Sequence, residues 1–283
     1  MDTTLLCYGA TVPGKKHLKT MQRNQDSFHI IHTVKHIIGV VTDGCTSSKG
    51  YSNNNVGAQL FAPLIATHIE RRLAEHEEDH TTQRFWELIE HDILADIGSI
   101  ASLLPGKRSE VIKDWLLFTI VGFVVAKGQL VVFHCGDGMY VYNDTIYTLK
   151  PATGNLQPYL SYRLSSIDEM SLLPLCKITI EVTPAAQLDH IVIGTDGMYD
   201  IFDLEQKIIP MTQTSAGRLD GFWKDPRILA NPMIAQNKLH AMNRKSFRVD
   251  YEKRDITHYH ELMEDDTTFI VLTHSLTSKN VPS

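Results

Sequence analysis

The sequence predicts an α+β fold in which antiparallel β-sheets are covered by helices. Strand-like runs rich in Val, Ile and Phe recur along the chain, each bounded by turn residues. Two long amphipathic helical patterns stand next to each other between two groups of these runs. Because strands and helices do not alternate one by one, the pattern favours antiparallel sheets over a doubly wound parallel fold.

The predicted strands are short apolar runs, and several of them form pairs joined by a tight turn. One such turn falls at Lys127-Gly128, where glycine suits the backbone of a hairpin. The runs cover residues 27–32, 35–42, 116–126, 129–135, 140–142, 145–149, 177–182, 190–195 and 267–274.

The helices are predicted from apolar residues spaced three to five apart. They cover residues 55–75 and 83–104, and each has a charged face opposite its apolar face, so each should lie on a sheet. A third helical pattern, 227–243, should break at Pro232. A shorter helix is expected at 198–206. Two stretches without a pattern, 150–175 and 211–226, are expected to be long surface segments, the first overhanging the functional site.

The composition is that of a globular protein, and we expect one domain over residues 1–283. Hydrophobic residues make up 43% of the chain and charged residues 21%. Lys and Arg number 27 against 33 Asp and Glu, which argues against a nucleic-acid partner because phosphate backbones attract basic surfaces. With no C-x-x-C pair, no basic leader and no apolar run long enough to span a bilayer, we expect a cytoplasmic protein without a membrane partner. The oligomeric state stays open.

Acidic residues at the ends of strands are the most informative feature. Three strands run into Asp-Gly and two more strands are preceded by acids; the residues are Asp26, Asp43, Asp137, Asp196, Asp265 and Asp266. Asp-Gly is also a common hairpin turn, and for Asp137 that alternative is strong because a strand follows at once. For Asp43 and Asp196 it is weak, since a helix follows.

Several strand-end carboxylates can converge only if a cation offsets their repulsion. Oxygen ligands alone indicate a hard ion such as Mg²⁺, Mn²⁺ or Ca²⁺. No H-E-x-x-H zinc motif competes, and neither G-x-G-x-x-G nor a P-loop nor G-x-S-x-G occurs. The chain also offers no well-marked Cys or Ser nucleophile. The acids therefore predict chemistry that depends on a hard divalent ion.

In order and rough spacing, five motifs resemble the metal-dependent serine/threonine protein phosphatases, the type 2C or PPM family, in a bacterial-type branch. They are Asn24-Gln25-Asp26, Asp43-Gly44, Gly136-Asp137-Gly138, Thr195-Asp196-Gly197 and Asp265-Asp266-Thr267-Thr268. The resemblance covers nearly the whole chain. It implies a four-layer αββα sandwich of two antiparallel sheets flanked by helices, which agrees with the fold class above.

The resemblance also implies roles for individual residues. Asp43 would bridge two Mg²⁺ or Mn²⁺ ions, with the Gly44 carbonyl as a further ligand. Asp196 and Asp265 would complete one ion's carboxylate set, and Asp26 would contribute from the first strand. A third, weaker ion would lie between Asp137 and Asp196. A hydroxide bridging the two ions would attack the phosphate of a phosphoserine or phosphothreonine in a protein substrate, with no phosphoenzyme.

Two departures from the family pattern concern the general acid and the phosphate ligand. Cys45 stands directly after Asp-Gly, where many eukaryotic relatives have a histidine. The family's phosphate-binding arginine has no counterpart in register, so His17, Lys19 and Arg23 are the candidates. The alternative function is a catalytically weak family member that binds phosphoproteins as a regulatory module. A metal-dependent nuclease is a third hypothesis, disfavoured by the acidic charge.

Overall fold

Two five-stranded antiparallel sheets face each other in the computed structural model, which describes residues 5–45, 52–75, 79–150, 157–165 and 170–275. The strands are β1 (Leu5–Val12), β2 (Asp26–His32), β3 (His36–Gly44), β4 (Phe118–Ala126), β5 (Gln129–Cys135), β6 (Gly138–Tyr142), β7 (Thr145–Leu149), β8 (Thr179–Pro184), β9 (His190–Gly194), β10 (Ser246–Asp250), β11 (Asp255–Tyr259) and β12 (Thr267–His274). One sheet has the order β1-β12-β9-β6-β7 and the other β2-β3-β4-β5-β8, while β10 and β11 form a separate ribbon.

Helices cover the outer faces of both sheets. They are α1 (Lys15–Thr20), α2 (Asn54–Glu75), α3 (Gln83–Leu103), α4 (Arg108–Trp115), α5 (Met198–Phe202), α6 (Gly221–Lys224), α7 (Pro226–Ala230) and α8 (Met233–Met242). Long α2 and α3 pack on the β2–β5 sheet, and α5 to α8 pack on the sheet that contains β1 and β12. Within the described ranges, no helix is long and apolar enough to cross a membrane.

Three apolar clusters separate the four layers. The middle cluster joins the two sheets, with Phe123 and Val121 from one facing Ile193 and Ile270 from the other. The two outer clusters lie between each sheet and its helices. The α+β class and the four-layer αββα arrangement expected from the sequence are thus confirmed.

Helices and strands with a strong apolar period were predicted correctly, and those with a weak period were not. Both long helices and all nine predicted strands occur within a few residues of their expected ends, and the helical pattern near Pro232 divides into α7 and α8 as expected. The sequence did not predict β1, the β10–β11 ribbon or α4. In β1 the apolar run is interrupted by Gly9, whose missing side chain leaves room for the ring of Phe28.

The expectation of two long surface segments holds only in part. Residues 211–215 are exposed, but both segments also contribute buried residues. In 150–175, of which residues 151–156 and 166–169 lie outside the described part, Tyr159 and Leu160 are buried. In 211–226, Phe222 and Trp223 are buried against the β1 sheet. These stretches contain short turns of helix, so their apolar residues fill the core without showing a period. The helix expected at 198–206 ends at Phe202.

Phe133 is expected to be a major stabilising residue of the outer cluster under α3. Its side chain is 0% exposed, and its ring lies 4.5 Å from that of Trp86 between centroids. Phe133→Ala should lower the free energy of unfolding by about 3–5 kcal/mol, because it removes a large buried ring and leaves a cavity. The measurement is urea unfolding, with Phe247→Ala in the exposed ribbon as the matched control. A loss for Phe133→Ala no larger than that of the control would contradict this packing.

Candidate active site

Two of the predicted acids face each other across neighbouring strands. Asp26 opens β2 and Asp43 lies near the end of β3, and the two residues are direct partners in the antiparallel register. Directly opposed side chains in such a pair are close enough to touch, and these two carboxyl groups hydrogen-bond to each other. Asp26 is only 4% exposed. The β2–β3 pair therefore places the buried Asp26 opposite the half-buried Asp43 at the end of its sheet.

The opposing sheet supplies the next acid. Strand β9 ends at Gly194, and Thr195 and Asp196 follow it. The Thr195 hydroxyl donates to Asp26 Oδ2 at 2.7 Å, so one hydrogen bond ties the end of β9 to the start of β2. The other oxygen, Asp26 Oδ1, is buried and has no hydrogen-bond partner among the described residues. An unsatisfied buried carboxylate oxygen is where a cation or a water would be stabilising.

Asp137 lies where the chain crosses from one sheet to the other. Strand β5 belongs to the β2–β3 sheet and β6 to the opposite one, so the bend at Asp137 is not a hairpin turn and that alternative was wrong. Gly136 and Gly138 have φ angles of 100° and 130°, which favour glycine. A Cβ on Gly138 would lie 2.8 Å from the Gly194 carbonyl oxygen. The bend brings Asp137 close enough for its charge to act on Asp43 and Asp196.

The neighbouring residues Asp265 and Asp266 lie in different environments. Asp266 is buried and accepts hydrogen bonds from the Gly14 and Gln25 amides and from His17 Nδ1. Asp265 is half-exposed, and its Oδ2 lies 3.3 Å from Lys16 Nζ. The charge of Asp265 also acts on Asp196. The structure thus leaves Asp265 available at the site, whereas Asp266 holds the 14–25 connection to the start of β12.

Asp200 supports Asp265 and was not predicted from the sequence. Its Oδ2 accepts hydrogen bonds from the amides of Glu264 at 2.7 Å and Asp265 at 3.2 Å. Asp200 lies in α5, directly after Thr195-Asp196-Gly197. No strand-end pattern marks it in the sequence.

The three basic candidates for binding phosphate lie on or beside α1. His17 is buried, with its Nδ1 at 2.7 Å from Asp266 Oδ2, and that hydrogen bond is the main cause of its raised pKa. Lys19 and Arg23 are exposed. The structure thus assigns His17 a carboxylate partner within the fold and leaves the other two cations at the surface.

The acids repel one another strongly in the absence of a cation. Burial, followed by the charges of neighbouring carboxyls, raises the pKa of both Asp26 and Asp43 well above the usual value. Burial and the charges of Asp137 and Asp265 raise the pKa of Asp196 to about 7, and burial raises the pKa of Asp137 to about 6. Such shifts occur where negative charge collects in a low-dielectric site.

The donor chemistry of these residues fits hard divalent ions. All of the converging side chains present carboxylate oxygens, which suit Mg²⁺ or Mn²⁺. In the described part of the chain, no three His, Cys, Asp or Glu side chains are already close enough to enclose an ion. The arrangement is therefore a convergent but open set of acids, with the buried Asp26 Oδ1 unsatisfied.

Gly44, the last residue of β3, and Cys45 directly follow Asp43 in the chain. A Cβ on Gly44 would lie 2.6 Å from the Asn54 carbonyl oxygen, so this position admits no side chain. The Cys45 thiol hydrogen-bonds to the Tyr159 hydroxyl, and burial raises the pKa of the thiol. Tyr159 was not predicted as a site residue because it lies in a stretch without a pattern.

Comparison with known proteins shows where this site belongs. The family model described as "Protein phosphatase 2C" matches residues 13–222. No curated protein matches the chain significantly. Among solved structures, the fold is similar to a serine/threonine phosphatase Stp1 from Staphylococcus aureus, with 15% identity, coverage of 97% of this chain and 96% of that one, and a TM-score of 0.52.

Two further structures share the fold at similarly low identity. A bacterial serine phosphatase has 14% identity, coverage of 97% of this chain and 100% of that one, and a TM-score of 0.52. A serine-threonine phosphatase 2C from Toxoplasma gondii has 12% identity, coverage of 95% and 94%, and a TM-score of 0.50. Because the family match spans most of its length, the chain belongs to the protein phosphatase 2C family and is a serine/threonine phosphatase.

Proposed function

We propose that the strand-end acids hold the divalent ions with which this phosphatase hydrolyses phosphoserine and phosphothreonine monoesters in proteins. Asp43 and the Gly44 carbonyl would serve two Mg²⁺ or Mn²⁺ ions, with Asp26, Asp196 and Asp265 completing the carboxylate set. Asp137 and Asp196 would hold a third ion. The observation that carries the proposal is the buried Asp26–Asp43 pair, which Thr195 ties to the Asp196 end of the opposite sheet.

The chain's own part in the reaction is to hold its acids close together and in fixed orientations. When bound, the divalent ions supply positive charge that acidifies a water and neutralises the phosphoryl oxygens. Thr195 fixes Asp26 through Oδ2 and leaves Oδ1 free to act as a ligand. Asp200 holds the backbone of Asp265, so that Asp265 stays at the rim. Pre-set positions of this kind avoid reorganisation during the reaction.

The thiol of Cys45 is not the nucleophile in this proposal. A nucleophilic cysteine needs a lowered pKa, and here burial raises the pKa of the thiol. The thiol instead hydrogen-bonds to Tyr159. Attack by water rather than by a side chain is consistent with that environment.

The phosphate ligand is proposed to come from the exposed cations beside α1. Arg23 is exposed just ahead of Asp26 and is the candidate for direct contact. His17, buried against Asp266, suits an indirect role in holding the 14–25 connection to β12. We further propose a cytoplasmic enzyme that acts on a phosphorylated protein, with residues 1–283 forming one phosphatase domain.

Hydrolysis of a phosphothreonine peptide with Mn²⁺ tests this function directly. We expect phosphate release that stops in excess chelator. In Asp43→Asn the release should fall by more than about a hundredfold, on the order of 3 kcal/mol in the barrier, since one ligand is lost from the site. Asp144→Asn, at an exposed acid paired with Lys224, is the matched control. Full activity in excess chelator would refute the metal sites, and no activity with any metal would support the regulatory alternative.

The metal-free protein should lose stability as the pH rises through neutrality. The folded-state pKa of Asp196 is raised to about 7 and that of Asp137 to about 6, so these carboxyls stay protonated in the folded state at pH values where the unfolded chain ionises them. Their stabilisation is fully present below about pH 4 and is lost as the pH rises through about 7. Thermal melts in chelator should show this decline as a melting temperature that falls between about pH 5 and pH 8. Each kcal/mol of lost stability should lower the melting temperature by about 2–4 °C.

Asp196→Asn supplies the comparison for that pH dependence. It removes the carboxyl whose pKa is raised to about 7, so its melting temperature without metal should change less with pH and should exceed that of the wild type at about pH 8. In saturating Mn²⁺, the melting temperature of the variant should instead fall below that of the wild type, because the variant has lost a metal ligand. A wild-type melting temperature that rises with pH over the same range would show that the acids are not in mutual repulsion.

Asp137→Ala should slow the reaction more for a poor leaving group than for a good one. The ion held at Asp137 is proposed to help protonate the leaving oxygen, which the alkoxide of a phosphopeptide needs and the phenoxide of p-nitrophenyl phosphate does not. We expect a loss at least about tenfold larger for the phosphopeptide, measured as kcat at saturating Mn²⁺. Equal losses of kcat for the two substrates would show that Asp137 does not help to protonate the leaving oxygen.

A further inference from the structure

Gln157 makes a direct contact with one of the candidate metal ligands. Its Nε2 donates a hydrogen bond to Asp137 Oδ2, from a segment 20 residues further along the chain. The other end of the amide, Oε1, is buried and has no hydrogen-bond partner within the described part of the chain. Since the two ends belong to one small planar group, this unsatisfied oxygen also lies near the Asp137 carboxylate.

The position of Gln157 is fixed by its neighbours in the sequence. The Cys135 thiol donates to the Pro158 carbonyl oxygen at 3.0 Å, which ties the segment to the end of β5. The Tyr159 hydroxyl contacts the Cys45 thiol next to Asp43 and Gly44. Leu160 is buried in the cluster under α3. These three anchors, on the residues that directly follow Gln157, hold the amide against Asp137, as a ligand-supporting residue requires.

We propose that Gln157 is a positioning residue for Asp137 and that its Oε1 is a neutral oxygen ligand for the cation held at that carboxylate. The proposal rests on the proposed function, because it assumes that Asp137 binds an ion. A buried acceptor without a partner is unfavourable by itself, and a cation or its water satisfies it. Hard divalent ions accept amide oxygens beside carboxylates.

A neutral ligand suits this position better than another acid. The charges of Asp137 and Asp265 already act on Asp196, and a further negative group would increase the repulsion in the metal-free state. An amide adds a coordinating oxygen without adding charge. Its Nε2 also donates a hydrogen bond to Asp137, which restricts the orientation of that carboxylate. One side chain would therefore both orient the acid and supply a further oxygen ligand for the cation.

The alternative is that Gln157 only fills space between the segment and the bend. In that case its loss would lower the stability equally with and without metal. In a metal-supporting role, its loss would weaken the binding of Mn²⁺ itself. The two roles therefore differ in a measurement that does not depend on catalysis.

The experiment is titration of the full-length metal-free chain with Mn²⁺ by calorimetry, with thermal melts in parallel. Gln157→Leu should weaken the weakest Mn²⁺ site by about tenfold to a hundredfold, the usual cost of losing a group that supports a metal ligand. Gln236→Leu is the matched control, because Gln236 is a half-buried glutamine that hydrogen-bonds to Thr11 and His240 and not to an acid. In an Asp137→Asn background, Gln157→Leu should cause no further loss of Mn²⁺ affinity.

Gln157→Glu keeps the inference testable if the leucine variant does not fold. The new carboxylate would repel Asp137 without metal and attract the cation when it is present, so the rise in melting temperature on adding Mn²⁺ should exceed that of the wild type. An equal rise in Gln157→Glu and wild type, or unchanged Mn²⁺ affinity in Gln157→Leu, would overturn the proposal. Normal Mn²⁺ titration of a wild type without phosphatase activity would overturn only the proposed function.

Discussion

The mutual repulsion of buried carboxyl groups is the constraint around which the rest of this molecule is arranged. Asp26 and Asp43 are opposed in the register of β2 and β3, and burial makes their charges costly. Within the protein, one neutral donor, the Thr195 hydroxyl, offsets part of that cost at Asp26. The apolar layers on each side of the sheets must supply the remaining stability, because the acid pair by itself opposes folding.

The two-sheet architecture explains how acids that are far apart in sequence come together. Asp43 and Asp196 both follow the apolar part of a strand, and their strands belong to opposite sheets. Asp137 lies in the connection that crosses between those sheets, and Gly138 directly after it allows the backbone to approach β9 closely. The carboxylates of Asp43 and Asp196 at the strand ends and that of Asp137 in the crossing connection therefore lie around the same edge of the sandwich. Insertion of a Cβ at Gly138 would separate the elements that this edge requires.

How much of the site the sequence could predict depended on whether a residue belongs to a repeated pattern. Asp43, Asp137 and Asp196 could be found because each precedes glycine at a strand end, and their register followed from strands with strong apolar runs. Asp200 and Gln157 could not be found, since both act through hydrogen bonds between distant segments. The hairpin alternative for Asp137 could be excluded only by the sheet order, which no local pattern encodes. Likewise, Tyr159 lies in an irregular stretch whose burial depends on tertiary packing.

The environment of Cys45 limits where the proton for the leaving group can come from. Burial raises the pKa of the Cys45 thiol. Burial, the neighbouring Cys45 and the nearby acids raise the pKa of the Tyr159 hydroxyl that contacts it, so both groups stay neutral. Neither group exchanges protons readily near neutral pH. Asp137 lies on the crossing connection, close enough for its charge to act on both of these residues and on Asp43. In the proposed function, protonation of the leaving oxygen is therefore assigned to the ion held at Asp137 and not to Cys45.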